Sequence, residues 1–135
     1  TRIKTGFIHL LDNSNKSSTS QVPDFDKFFL GGASSLRGWT SPVDYNKEEG
    51  GLFRTLLNFE IRIPVYKIIG LELFYDGGFI SPSLENSFSG LEKEFNWNVG
   101  WGIVIQSNLG PARIDFAFKR GTGERVVQVS LLNMF

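Results

Sequence analysis

The chain has no cysteine, one methionine and a single histidine, His9. Without cysteine there is no disulfide framework and no thiol chemistry, a usage compatible with an exported bacterial protein. With one histidine, a Ser–His–Asp arrangement has only one base to draw on, and Ser34 and Ser35 have no base beside them in the sequence. No H-E-x-x-H, clustered metal ligands, phosphate loop or dinucleotide fingerprint occurs, so the sequence offers no case for an enzyme, a bound metal or a cofactor. No apolar run reaches the length of a transmembrane helix. Thr1-Arg2-Ile3-Lys4-Thr5 reads as a strand already under way rather than a signal peptide. If the protein is exported, its targeting segment lies outside these residues. Charge of one sign is also lacking: 14 basic residues balance 14 acidic ones, so the net charge does not point to nucleic acid or to an acidic substrate.

What is abundant is glycine, with 15 residues, and phenylalanine, with 13. Six segments alternate with period two, the spacing of strands with two chemically different faces. In the clearest, Leu52 to Ile63, Phe53, Thr55, Leu57, Phe59, Ile61 and Ile63 oppose Arg54, Leu56, Asn58, Glu60 and Arg62. From Ile69 to Phe79, Leu71, Leu73, Tyr75 and Phe79 oppose Glu72, Phe74, Asp76 and Gly78. From Phe95 to Gln106, Phe95, Trp97, Val99, Trp101, Ile103 and Ile105 oppose Asn96, Asn98, Gly100, Gly102 and Gln106. Arg113, Asp115, Ala117 and Lys119 then alternate with Ile114, Phe116 and Phe118, and Val127, Val129, Leu131 and Phe135 oppose Gln128 and Ser130. The first segment, about Arg2 to Leu11, is fainter, and its faces are not assigned by alternation alone.

One set of faces is large and aromatic; the other mixes glycine with charges of both signs. No helix-period segment is present to cover the apolar set. This is the pattern of a transmembrane β-barrel, with lipid outside and a polar interior. Trp97, Trp101, Tyr75 and Phe135 are candidates for interfacial aromatic girdles. In order the connections are very long (about 12–51), short (64–68), medium (80–94), short (107–111) and short (121–124), an alternation that fits extracellular loops and periplasmic turns. This places the first long loop outside the cell and Phe135 at the periplasmic edge.

That long loop contains Phe28-Phe29-Leu30-Gly31-Gly32-Ala33-Ser34-Ser35-Leu36-Arg37-Gly38-Trp39. Loops of this length are either functional or disordered, and five large apolar residues are too many for disorder. The loop is expected to fold back on a surface where Arg37 has a partner.

Gly31-Gly32 followed by Leu36-Arg37-Gly38-Trp39 resembles the (V/L)RG(F/Y/W) loop motif of the outer-membrane protein assembly and translocation superfamily, the BamA/TamA-like or bacterial surface antigen family. Phe74-Tyr75-Asp76-Gly77-Gly78 resembles its F-x-D-x-G strand motif. Gly100-Trp101-Gly102 and Gly110-Pro111-Ala112-Arg113-Ile114-Asp115 resemble the segment before its last hairpin, and Phe135 resembles its terminal aromatic residue. The order of the motifs is the family's order. Leu36 and Trp39 are variants of the commoner residues, and Leu132 stands where the last strand of the family has glycine.

The resemblance implies an all-β fold: an antiparallel meander of six strands forming the C-terminal part of a sixteen-stranded transmembrane barrel. Residues 1–135 would then be one portion of a barrel domain without POTRA repeats, its loop at about 12–51 inserted into the lumen. It implies that Arg37 pairs with Asp76, and the alternation adds Glu72 and Glu60 as inward acids. It further implies an integral protein of the bacterial outer membrane that assists folding, insertion or export of other outer-membrane proteins. Its partners would be the lipid bilayer, client β-barrel proteins and accessory lipoproteins or periplasmic domains, with no nucleic acid. Two other classes remain open from the residues alone: a passive pore or structural barrel, and a soluble β-barrel binding module.

Overall fold

The computed structural model describes residues 2–7, 22–41, 44–45, 49–82, 95–108 and 110–131. They form a single antiparallel sheet of six strands in the order of the chain. The strands are β1 (Arg2–Phe7), β2 (Phe53–Tyr66), β3 (Ile69–Ser81), β4 (Asn96–Ser107), β5 (Gly110–Lys119) and β6 (Arg125–Leu131). Apart from one short 3-10 turn at Asp24–Asp26, the described residues contain no helix. His9, Leu132 and Phe135 lie outside the described residues, as does much of the connection between β3 and β4.

Each strand follows the alternation in its residues, but the sheet is inside out by the standard of a soluble protein. Asn58, Glu72, Asp76, Asn98 and Asp115 are buried on one face. Phe59, Ile61, Ile63, Leu73, Val99, Trp101, Ile103, Ile105, Ile114, Val127, Val129 and Leu131 are exposed on the other. Among the described residues no second layer covers that apolar face. Single exposed apolar residues are ordinary, but a whole face of them is the surface of a protein whose solvent is hydrocarbon. On this face Trp101 stacks on Phe116, its direct cross-strand neighbour, at 4.5 Å between ring centroids. Tyr75 stacks on Trp97 at 5.9 Å. Phe79 differs from the other outward residues: it is buried, with the Phe53 ring 5.5 Å away.

The boundaries depart from the alternation in informative places. The hairpin between β2 and β3 does not begin at Pro64, because the strand continues to Tyr66 and reverses over Lys67–Ile68. Proline has no N–H for the ladder, and the register accommodates it: Pro64 pairs with Gly70 and Tyr66 with Ile69, leaving a bulge between. Lys67 takes the left-handed conformation, φ 45°, that so short a reversal needs. β1 pairs with β2 so that Thr5 opposes Thr55 and Gly6 opposes Arg54, which assigns the faces that alternation left open.

The space over the polar face is filled by the chain itself. Leu30, Leu36, Trp39 and Tyr45 of the β1–β2 connection form a buried apolar cluster with Leu56 of β2 and Ile80 of β3, with Phe28 packed beside it. The connection is closed at its neck by a two-way bridge, Phe28 N–H to Gly51 carbonyl and Gly51 N–H to Phe28 carbonyl, both 2.9 Å.

If the outer face meets lipid, Ile103→Arg near the middle of β4 is expected to destabilise the full-length protein in a bilayer by about 2–4 kcal/mol. Equilibrium unfolding in lipid vesicles checks this, and an unchanged transition would contradict a hydrocarbon-facing surface.

Candidate functional site: an arginine plug on the inner wall

The site is built from the register of the strands. Asp76 on β3 lies directly across from Asn58 on β2 and Asn98 on β4. Two residues further along the inner face, Phe74 sits between Glu60 and Gly100. The next row runs Arg62, Glu72, Gly102, Asp115 and Gln128 from β2 to β6. Period two puts all of these on one surface, and the pairing brings them into three adjacent rows.

The loop delivers Arg37 onto this surface by folding on itself first. Gly31 and Gly32 adopt φ of 111° and 101°, a region open to glycine and costly for other residues. The Gly31 N–H donates to Ser35 Oγ at 3.0 Å, and the Gly32 N–H donates to the Trp39 carbonyl at 2.7 Å. Ser35 N–H returns to the Gly32 carbonyl at 3.0 Å. Leu36 is fully buried, and Trp39 meets Tyr45 edge-on at 5.4 Å. Gly38 passes so close to β4 that a side chain there would meet Asn98 Cβ at 2.8 Å.

Arg37 is only 1% exposed. Its Nε and Nη2 each donate to one oxygen of Asp76 at 2.7 Å, the two-pronged geometry that a guanidinium and a carboxylate share. Nη1 donates to Glu72 at 2.6 Å and lies 3.0 Å from Glu60 and 3.8 Å from Asp115. The guanidinium carbon rests 3.6 Å above the centre of the Phe74 ring. Beneath that ring is Gly100, where a Cβ would run into Phe74 and into the Phe116 carbonyl. Gly102 leaves similar room for Asp115. The two glycines of the Gly100-Trp101-Gly102 motif therefore hollow out the wall so that a ring and an acid fit against it. Gly78, the last residue of the strand motif, has Thr55 carbonyl against it in the same way, 2.7 Å from where a Cβ would be.

Asp76 gathers five donors. Besides Arg37 Nε and Nη2, it accepts from the Arg37 main-chain N–H at 3.3 Å, Asn58 Nδ2 at 2.7 Å and Asn98 Nδ2 at 3.2 Å. Asn58 Nδ2 also reaches the Ser35 carbonyl at 2.8 Å. Arg113 on β5 donates to the Ala33 carbonyl at 3.0 Å and lies 2.6 Å from Asp115 through Nε. Arg62 joins Glu72 and Glu60, each at 3.0 Å. On β6, Gln128 Nε2 donates to the Arg37 carbonyl at 2.8 Å and the Trp39 carbonyl at 3.0 Å. Nearer the rim, Lys119 pairs with Asp44 of the loop at 3.2 Å and with Glu124 at 3.1 Å. Burial raises the Asp44 carboxyl, but hydrogen bonds from the Thr40 N–H and from Lys119 outweigh it and leave the group below its ordinary range.

The structure thus brings Gly31, Gly32, Leu36, Arg37, Gly38 and Trp39 together with Asp76, Glu72, Glu60, Phe74, Gly100, Gly102, Arg113 and Asp115. Gly110 and Pro111 stand apart, at the β4–β5 turn, where Ser107 Oγ donates to the Gly110 carbonyl at 2.6 Å. Asn58, Asn98 and Gln128 were not singled out by sequence reasoning as part of the site. Their signal was their parity with Asp76, but an inward amide in a polar lumen gains meaning only once the register is known. Among the described residues no group of acids and histidines is arranged to hold a metal ion.

An apolar outer face, a polar inner face and a folded loop plugging the latter define a segment of an outer-membrane-type β-barrel. A family model, the Omp85 superfamily domain, matches residues 1–131, and the chain belongs to that superfamily of outer-membrane proteins concerned with protein insertion and translocation. A search of curated proteins gave no match.

Removing the guanidinium would leave buried acids facing one another. Arg37→Ala is therefore expected to cost about 3–5 kcal/mol, and Arg37→Lys less, since it keeps the charge but loses the planar fork and the stacking. Gly100→Ala is expected to cost about 1–3 kcal/mol by forcing Phe74 off the wall. Denaturant unfolding of the full-length protein in bilayers checks the ranking.

Proposed function

We propose that this chain is the C-terminal six-stranded part of a sixteen-stranded barrel that inserts or exports other outer-membrane proteins, with the Arg37 loop as its lumenal brace. On this reading the β1–β2 connection enters from the extracellular side, and the chain end at Phe135 lies at the periplasmic edge. Clients are β-rich chains, and the work is done by strand edges offered as templates for main-chain pairing. No covalent step is required, and no cofactor.

The observation that carries the reading is the two-pronged contact of Arg37 with Asp76, supported by membership of the superfamily. A passive pore needs a polar lumen but gains nothing from filling it with a loop whose arginine is gripped by four carboxylates. A soluble binding module would have to cover the apolar face.

The test uses the full-length protein in outer-membrane vesicles and a β-barrel client. Arg37→Ala and Asp76→Ala are each expected to slow client insertion and to weaken the heat-modifiable compact form in gel electrophoresis. Wild-type assembly and heat-modifiability in both variants would overturn the assignment. Single-channel conductance indifferent to deletion of the loop, with no assembly defect, would favour the pore.

A further inference from the structure

β6 is the outermost described strand on its side of the sheet, and among the described residues it is held by β5 and by the β1–β2 connection. Its outward residues Val127, Val129 and Leu131 are 57%, 73% and 77% exposed. It is laddered to β5 from Arg125 to Leu131, and its inner face contributes buried Val126 and Gln128. Among the described residues, Gln128 is the side chain of β6 that hydrogen-bonds the loop. Its carboxamide carries two N–H donors, and both are used, on the carbonyls that flank Gly38. The first carbonyl belongs to Arg37. One loop residue therefore grips β3 through its side chain and β6 through its main chain.

We propose that Gln128 is a positioning residue that transmits the seating of the Arg37 loop to β6, the outermost described strand on that side. The proposal rests on the reading of the loop as a lumenal brace and goes beyond it by naming the route to the strand edge. The chemistry is specific to an amide donor. A glutamate of the same shape presents carboxylate oxygens to two carbonyl oxygens, and a leucine of similar size donates nothing. In either case the Arg37 carbonyl loses its β6 partner, and among the described residues β6 keeps its ladder to β5 and its buried Val126. The tie runs through the main chain that carries the Arg37 side chain, so unseating Arg37 is expected to weaken it.

The experiment measures amide hydrogen exchange across β6 in the full-length protein in bilayers, without client. Gln128→Leu is expected to speed exchange of residues 126–131 about tenfold, the size expected for two lost hydrogen bonds, while β3 around Asp76 stays protected. Arg37→Ala is expected to speed the same β6 amides. Adding Gln128→Leu to Arg37→Ala should then change β6 less than Gln128→Leu does alone, because the tie is already weakened. Unchanged β6 exchange in Gln128→Leu, or effects of the two substitutions that simply add, would overturn the proposal and leave Gln128 a packing residue. If Gln128→Leu does not fold, Gln128→Glu gives the same reading with the shape preserved. Slow client insertion by Arg37→Ala with unaltered β6 exchange would sink this inference alone; loosened β6 with normal insertion would sink the proposed function instead.

Discussion

A guanidinium taken out of water needs partners for its charge and its donors, and the centre of the inner face of this sheet supplies them. Asp76 supplies both oxygens to Arg37, and its own remaining capacity is met by amides from the strand on either side. Phe74 offers the face of its ring, and glycine at position 100 lets that ring lie flat. A buried ion pair of this kind is weak ground for claiming net stability, since desolvation offsets much of the attraction. Its strength lies in intolerance of error: with either partner displaced, an unpaired charge remains in a space closed to water.

The loop meets the wall as a folded object rather than a loose strap. Its turns are closed by hydrogen bonds among Gly31, Gly32, Ser35 and Trp39, and its neck by the Phe28–Gly51 bridge. The apolar residues between them form a small core shared with two strands. Much of the ordering cost of a long connection is thus met locally, so the contacts of Arg37 are not spent on holding the loop together. In this Omp85 superfamily chain the polar face of the sheet thus carries a filler of defined shape.

The strands and their two faces were legible in the residues because lipid and lumen impose opposite chemistry at every second position. The ends were less so. Pro64 reads as a stop, and only the pairing of Tyr66 with Ile69 reveals a bulge that carries β2 beyond it. Alternation could place Asp76, Glu72 and Glu60 inward, while the partnership of Asp76 with Arg37 came from resemblance to a family. Asn58, Asn98 and Gln128 stayed hidden for a physical reason. Side chains that face water and side chains that face a buried loop have the same parity and the same polarity, and cross-strand register is a property of the whole sheet.

That register gives the arrangement a further property. Sliding any one strand by a single residue turns its inward set towards the bilayer. A slip of β3 would carry Asp76 and Glu72 into hydrocarbon and present Tyr75 and Leu73 to the incoming cation; a slip of β2 or β4 would withdraw Asn58 or Asn98. Since the partners of the loop come from β2, β3, β5 and β6, with β4 flanking, a slip of any of these strands withdraws part of the socket. The seated arginine is thus a signature of correct register: its partners converge on one point only when β2, β3, β5 and β6 are aligned as they are here.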